Sequence, residues 1–271
     1  MNKVLLVGCG HMGSALIKSW SNLKSYSFTV VDPYNFNKLK IKLKLKKIDI
    51  LNKVPNQKKM KTFDIIIFAV KPQIAIDVLN DYENFELKKN IVIGSIIAGK
   101  KINFFMKRIK NANQFVRIMP NMPALIRNGI SCFVSRSNLS LSNKKKLNEL
   151  FLQVGKTVWL KSENQIDKAT AVSGSGPGYI FTLIHAFEKA AQKLGFSKSQ
   201  SRDLISSTML GSILLMQETR KEPNELAKEI AVKGGTTEAG IKNLQNNNID
   251  KIIFKTYISA YNRAKVLGKK N

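Results

Sequence analysis

The chain has 271 residues, 44% of them hydrophobic, which is long enough for two domains with a sizeable core. Its formal net charge is +27, but only seven of the 45 basic residues are Arg and the lysines are spread along most of the chain. With abundant Asn and Ile this reads as A/T-rich codon usage and not as a nucleic-acid surface, which leans on Arg and on motifs absent here.

The N-terminal apolar run is too short for a signal peptide, and nothing later approaches the roughly 18 apolar residues of a membrane span. Cys9 and Cys132 lie far apart, with no disulfide framework or metal-ligand spacing. A soluble, cytoplasmic protein is expected.

In chain order, the run KVLLV (residues 3–7) fits a buried parallel strand, and it ends in GCGHMG (residues 8–13). An amphipathic segment over residues 14–23 follows, then the strand FTVVD closing on Asp32. Strand, glycine turn, helix and strand in this order give each glycine a task. Gly8 permits the tight turn, Gly10 lets a pyrophosphate approach the backbone, and Gly13 lets the helix pack on the strand. The helix start, with His11 and Met12, then offers free N–H groups to the phosphates.

The stretch KLKIKLKLKKIDIL alternates with period two, yet a doubly wound fold calls for a helix and then a short strand at residues 48–51, which is the reading adopted. Further strands are expected at 64–70, 90–99, 114–119, in GISCFVS, and in KTVWLK, with a helix over 143–153. Alternation over about 160 residues predicts an α/β fold, a Rossmann-like, doubly wound, mostly parallel sheet. After residue 161 strand signals nearly vanish. Helices are expected over 164–172, 178–193, 198–221, 225–231 and 239–268, so the division predicted is 1–161, dinucleotide-binding, and 162–271, all helical.

Two glycine-rich breaks interrupt the helical half: SGSGPG (173–178) and KGGTT (233–237). Each has a plain reading. Ser175 can cap a helix with Pro177 in its first turn, and Thr236 or Thr237 can cap a helix beginning near Glu238. A cap explains one threonine but not Gly234 and Gly235 together. The alternative is a cradle of N–H groups and hydroxyls for a small carboxylate.

The two histidines, His11 and His185, form no metal-binding group, no metal is expected, and no nucleophile elbow appears. A nucleotide fold without an acid–base pair points to chemistry carried by a bound cofactor, and hydride transfer fits. A β-hydroxyacid type of dehydrogenase would need a catalytic Lys on a helix of the second domain. Lys168 and Lys189 lie in no such motif.

Read together, GCGHMG, FAVKPQ (68–73), RIMPNMPALI (117–126), TAVSGSGPGYIF (170–181) and KGGTTEAG (233–240) resemble the pyrroline-5-carboxylate reductase family in order and spacing along the chain. The resemblance implies reduction of 1-pyrroline-5-carboxylate to L-proline by NADPH or NADH. It also implies a helical dimerisation domain, a homodimer, and further assembly into a ring, with no nucleic-acid or membrane partner. By the same analogy Ala69, Val70, Lys71, Pro72, Gln73, Ala98, Pro120 and Asn121 line the nicotinamide and its ribose, and Asn56 contacts the adenosine ribose region. Ser175, Val232, Lys233, Gly234, Gly235, Thr236 and Thr237 form the substrate site, with Thr237 near the ring nitrogen as the catalytic residue.

Two departures stand out. Family members usually carry Ser-Pro or Ser-Lys where this chain has Val232-Lys233, which removes a hydroxyl from the cradle. Asp32 stands where a small polar residue is usual. A carboxylate at the end of the second strand binds the ribose 2′-OH and repels a 2′-phosphate, so NADH is expected to be used well.

Overall fold

The computed structural model describes residues 1–43, 48–136 and 138–269. Its contacts divide the chain into two compact units, Met1–Ser175 with Ala260–Asn271, and Gly176–Ser259.

The first unit is built on eight strands: β1 (Asn2–Val7), β2 (Tyr26–Val31), β3 (Ile48–Leu51), β4 (Ile65–Phe68), β5 (Val92–Ser95), β6 (Gln114–Pro120), β7 (Gly129–Ser135) and β8 (Gly155–Trp159). Their order across the sheet is β3-β2-β1-β4-β5-β6-β7-β8. The β1–β2, β2–β3, β1–β4, β4–β5, β5–β6 and β7–β8 pairs are parallel, and β6–β7 is antiparallel. The helices are α1 (His11–Trp20), α2 (Phe36–Lys42), α3 (Gln57–Met60), α4 (Ala75–Asn80), α5 (Ile102–Met106), α6 (Leu141–Leu152) and α7 (Glu163–Ala169).

The apolar runs are continuous because both faces of the sheet are covered. Successive side chains of β1 part to opposite layers. Val4 and Leu6 join Leu16, Ile17 and Trp20 of α1 and Phe151 of α6. Leu5 and Val7 join Phe68, Leu79, Tyr82 and Phe105. Each fully buried Leu or Val contributes about 1.5–3 kcal/mol. Trp20 keeps its polar edge satisfied by donating Nε1–H to the Leu150 carbonyl at 2.8 Å.

The ambiguous Lys-rich stretch resolves as helix α2 followed by strand β3, while its residues 44–47 lie outside the described residues. The glycine-turn helix begins at His11 and ends at Trp20, earlier at both ends than the pattern suggested. Helix α7 does not stop at residue 172 but loosens into a π-helical turn over Thr170–Gly174, where the Ser175 N–H reaches the Thr170 carbonyl at 2.8 Å.

The second unit holds α8 (Gly176–Lys193), α9 (Lys198–Thr219), α10 (Pro223–Ile230), α11 (Thr236–Asn246) and the first half of α12 (Ile249–Lys269), whose second half from Ala260 belongs to the first unit. A capping box of Ser197 and Gln200 opens α9, and Arg220 in the left-handed region closes it. Pro223 at the first turn and a Glu222–Glu225 box start α10. The single helix expected over 239–268 is two helices. Asn248, at φ 55°, breaks the run, a conformation Asn tolerates better than most residues. Of the 22 residues of α9 only Ser201 is buried, while Leu210, Ile213 and Leu214 are at least half exposed.

Candidate active site

The strand order reverses between β1 and β4, so the crevice of this α/β sheet opens at their carboxyl ends. Gly8 sits there at φ 90°, its N–H donating to the Val31 carbonyl at 2.8 Å. A Cβ on Gly8 would stand 2.7 Å from Val70 Cγ1 and 2.8 Å from the Ala69 carbonyl oxygen. A Cβ on Gly13 would stand 2.5 Å from the Gly8 carbonyl oxygen. At Gly10 a Cβ would meet nothing within 4 Å. The three glycines therefore have distinct reasons: strand contact, helix contact, and open space where a ligand can reach the backbone.

The first bond of α1 runs from the Ser14 N–H to the Gly10 carbonyl at 2.9 Å. The N–H groups of His11, Met12 and Gly13 precede it and are left for an anion, at the positive end of a ten-residue helix. These residues fit the pyrophosphate of a dinucleotide. The structure thus brings Gly8, Gly10, His11, Met12, Gly13, Ala69 and Val70 together. Lys71 leads into the short 3-10 turn Pro72–Ile74 that carries Pro72 and Gln73. Ala98 is exposed beyond the end of β5.

Asp32 follows β2 and is 6% exposed. Its Oδ2 accepts from the Cys9 N–H at 2.7 Å and from Asn35 Nδ2 at 3.1 Å, and its Oδ1 accepts from the Asn35 N–H at 2.9 Å. Burial pushes the neighbouring Cys9 thiol up to about 11, with the Ser14 hydrogen bond opposing and the Asp32 charge adding to it. Cys9 is a turn residue with an unreactive thiol. Asn56 caps α3, its Oδ1 accepting from the Lys59 N–H at 3.0 Å.

Pro120 ends β6 and Asn121 follows it, buried. The Asn121 amide is engaged at both ends. Its Oδ1 accepts from the Ile130 N–H at 2.9 Å, and its Nδ2 donates to the Ser173 carbonyl at 3.2 Å. Pro177, four residues beyond Ser173, has no N–H to offer that carbonyl. Of the two readings of Ser175, the cap does not hold. Ser175 lies in helical conformation between the π-turn and α8, not in the extended conformation of a helix cap.

In the second unit the loop before α11 is ordered by its own backbone. Gly234 stands at φ 76°, and the Gly235 N–H reaches the Val232 carbonyl at 2.9 Å. A Cβ on Gly235 would meet Val232 Cγ2 at 2.9 Å. Val232 and Lys233 are exposed. Thr236 and Thr237 are not caps. The helix starts at Thr236 with Gly235 at the cap position, so both threonines fall in the first turn. The first helical bond is from the Ala239 N–H to the Gly235 carbonyl, which leaves the N–H groups of Thr236, Thr237 and Glu238 for a ligand.

Sequence reasoning missed two residues here. Glu238 reaches back to accept from the Gly234 N–H at 2.8 Å and meets Lys242 at 2.9 Å, and hydrogen bonds from both hold its carboxyl below the usual range. A Glu three residues past a helix cap was the available signal. Arg117 is 2% exposed on β6, with Nη2 2.7 Å from Asp167 Oδ1 and Nη1 3.8 Å from Glu163 Oε1. No pattern in the sequence pairs those elements. Among the described residues no group of three or more His, Cys, Asp or Glu could hold a metal ion, and no helix is long and apolar enough to cross a membrane.

Residues 3–99 match the family model described as NADP oxidoreductase coenzyme F420-dependent, and residues 163–267 match that of pyrroline-5-carboxylate reductase dimerisation. The chain is 31% identical to the pyrroline-5-carboxylate reductase of Pseudomonas aeruginosa over 98% of its own length and 97% of the relative's. The identity is also 31% to that of Methanosarcina acetivorans, over 99% and 98%. Among solved structures, the Coxiella burnetii pyrroline-5-carboxylate reductase superposes with a TM-score of 0.89 at 27% identity, covering 97% of each chain. The Plasmodium falciparum pyrroline carboxylate reductase with NADP bound gives 0.82 at 28%, covering 98% of each.

Proposed function

Since the chain belongs to the pyrroline-5-carboxylate reductase family, we propose that it reduces 1-pyrroline-5-carboxylate to L-proline with NADPH or NADH, the last step of proline biosynthesis. The observation that carries this reading is the glycine turn at the β1/β4 switch point, open at Gly10 and closely packed at Gly8 and Gly13. The bound nucleotide supplies a hydride for the imine carbon. The protein's part is to hold and orient.

The N–H groups that open α1 hold the pyrophosphate, with His11 and Met12 beside it. Ala69, Val70, Lys71, Pro72, Gln73, Ala98 and Pro120 line the nicotinamide side, and Asn56 the adenosine side. Asn121 acts there by fixing the backbone, since its amide is engaged within the protein. The N–H groups of Thr236, Thr237 and Glu238 hold the substrate carboxylate, with Ser175, Val232, Lys233, Gly234 and Gly235 shaping the site. Thr237 Oγ1 hydrogen-bonds at the ring nitrogen, where the positive charge of the protonated imine polarises the carbon.

Residues 1–161 serve as the dinucleotide-binding domain and 162–271 as the dimerisation and substrate domain. A second copy covers the half-exposed Leu210, Ile213 and Leu214 of α9 in a homodimer able to assemble into a ring. The enzyme works in the cytoplasm. Loss of NAD(P)H absorbance on adding 1-pyrroline-5-carboxylate is the test. A folded protein that shows no turnover refutes the assignment.

A further inference from the structure

We propose that Asp32 is the positioning residue of the pyrophosphate turn and not the group that reads the 2′ position of the adenosine ribose. The inference rests on the dinucleotide reading given above. An acid at the end of the second strand reads the ribose when its oxygens are free to receive two hydroxyls. Here the carboxylate is turned into the protein, 6% exposed. Oδ2 already receives Cys9 N–H and Asn35 Nδ2, and Oδ1 receives Asn35 N–H. A carboxylate offers about four acceptor sites. Three donors leave about one, and a ribose diol needs two. The same three N–H dipoles oppose the field of the carboxylate, so Asp32 by itself does not bar a 2′-phosphate.

What Asp32 holds is the turn. Cys9 lies between the two glycines that matter for the ligand. Its N–H is tied to Asp32 at 2.7 Å, and its carbonyl receives Ser14 Oγ at 3.0 Å. Both peptides flanking Cys9 are thereby fixed, and the direction of the Gly10, His11 and Met12 N–H groups follows from them. Asn35 extends the tie, bonding Asp32 through its backbone and its side chain while standing at the cap position of α2. The expectation that Asp32 favours NADH is replaced by a role shared by both nucleotides.

The test is direct binding of NADPH and NADH to the full-length protein, by fluorescence titration, for wild type, Asp32→Ala and Asp32→Asn. Asp32→Ala removes the bond to Cys9 and raises both Kd values about tenfold or more. The ratio of the two stays within about threefold of wild type. Asp32→Asn keeps an oxygen for the Cys9 N–H at the expense of one bond to Asn35, and both Kd values rise less than in the Ala variant. A loss of stability alone would leave the Kd of the folded protein where it was, and would overturn the positioning role. A ratio that moves more than about threefold toward NADPH in either variant makes Asp32 the 2′ reader and overturns the proposal. If Asp32→Ala does not fold, Asp32→Asn decides, because a reader site loses its charge there as well. A wild type that binds neither nucleotide would instead refute the dinucleotide reading itself.

Discussion

Gly13→Ala sets two effects of opposite sign against each other. Inside a helix, alanine is favoured over glycine by about 1 kcal/mol. At this site the new Cβ would stand 2.5 Å from the Gly8 carbonyl oxygen and 3.3 Å from its carbon. Both are backbone atoms, so no rotamer change relieves the contact. Reaching even 3.0 Å requires helix and turn to part by 0.5 Å (3.0 − 2.5). Gly8 has no room to yield, hemmed as it is by Ala69 and Val70. Overpacking of this kind costs about 1–3 kcal/mol, so the balance is a loss of about 0–2 kcal/mol. At about 2–4 °C per kcal/mol this lowers Tm by several degrees at most. The larger effect is on binding, because the shift moves the N–H donors of α1 away from the turn. Kd for NADPH is expected to rise about tenfold or more, as sub-ångström misplacement does at such sites. Nucleotide titration beside a thermal melt reads both. A raised Tm with unchanged Kd would mean that the helix–turn contact has no part in holding the nucleotide.

Three further outcomes follow from the geometry. Asp167→Ala leaves the buried Arg117 guanidinium with the Glu163 carboxylate, 3.8 Å from Nη1, but without its 2.7 Å hydrogen bond, and costs about 1.5–3 kcal/mol in urea unfolding; adding Arg117→Met recovers part of that, and no recovery would refute an under-compensated buried charge as the cause. Val232→Ser restores a hydroxyl beside the carboxylate cradle and is expected to lower KM for the imine acid about three- to tenfold with unchanged Kd for NADPH. An unchanged KM would place that side chain outside the cradle, in keeping with its 66% exposure. Leu214→Glu puts a charge on the uncovered face of α9 and is expected to shift sedimentation from dimer to monomer, whereas a monomeric wild type would remove the partner from that face.

The sheet was legible because its signals are local. Four apolar residues before GCGHMG, then a helix and a second strand, dictate one supersecondary unit, and the structure has it with the glycines in three separate roles. Even the Lys-rich stretch followed topology over its period-two pattern. What failed depended on partners distant in sequence or on competition at a helix start. Ser175 looked like a cap because SGSGPG looks like a break, yet a π-turn carries the helix through it. The threonines lost the cap position to Gly235, and Glu238, which no cap reading used, bonds the Gly234 N–H. Asn248 broke a helix that composition alone would have continued. Asp32 and Arg117 could be seen as charges in the sequence, but not what they would face.

The proline in SGSGPG has an evolutionary consequence. By lacking an N–H, Pro177 leaves the Ser173 carbonyl open, and Asn121 donates to it from the end of a distant strand. Losing Asn121 would take that donor from the carbonyl, whereas replacing Pro177 by a residue with an N–H would offer it another from four residues on. The two positions are therefore coupled through one carbonyl: a change at one alters which changes the other can accept.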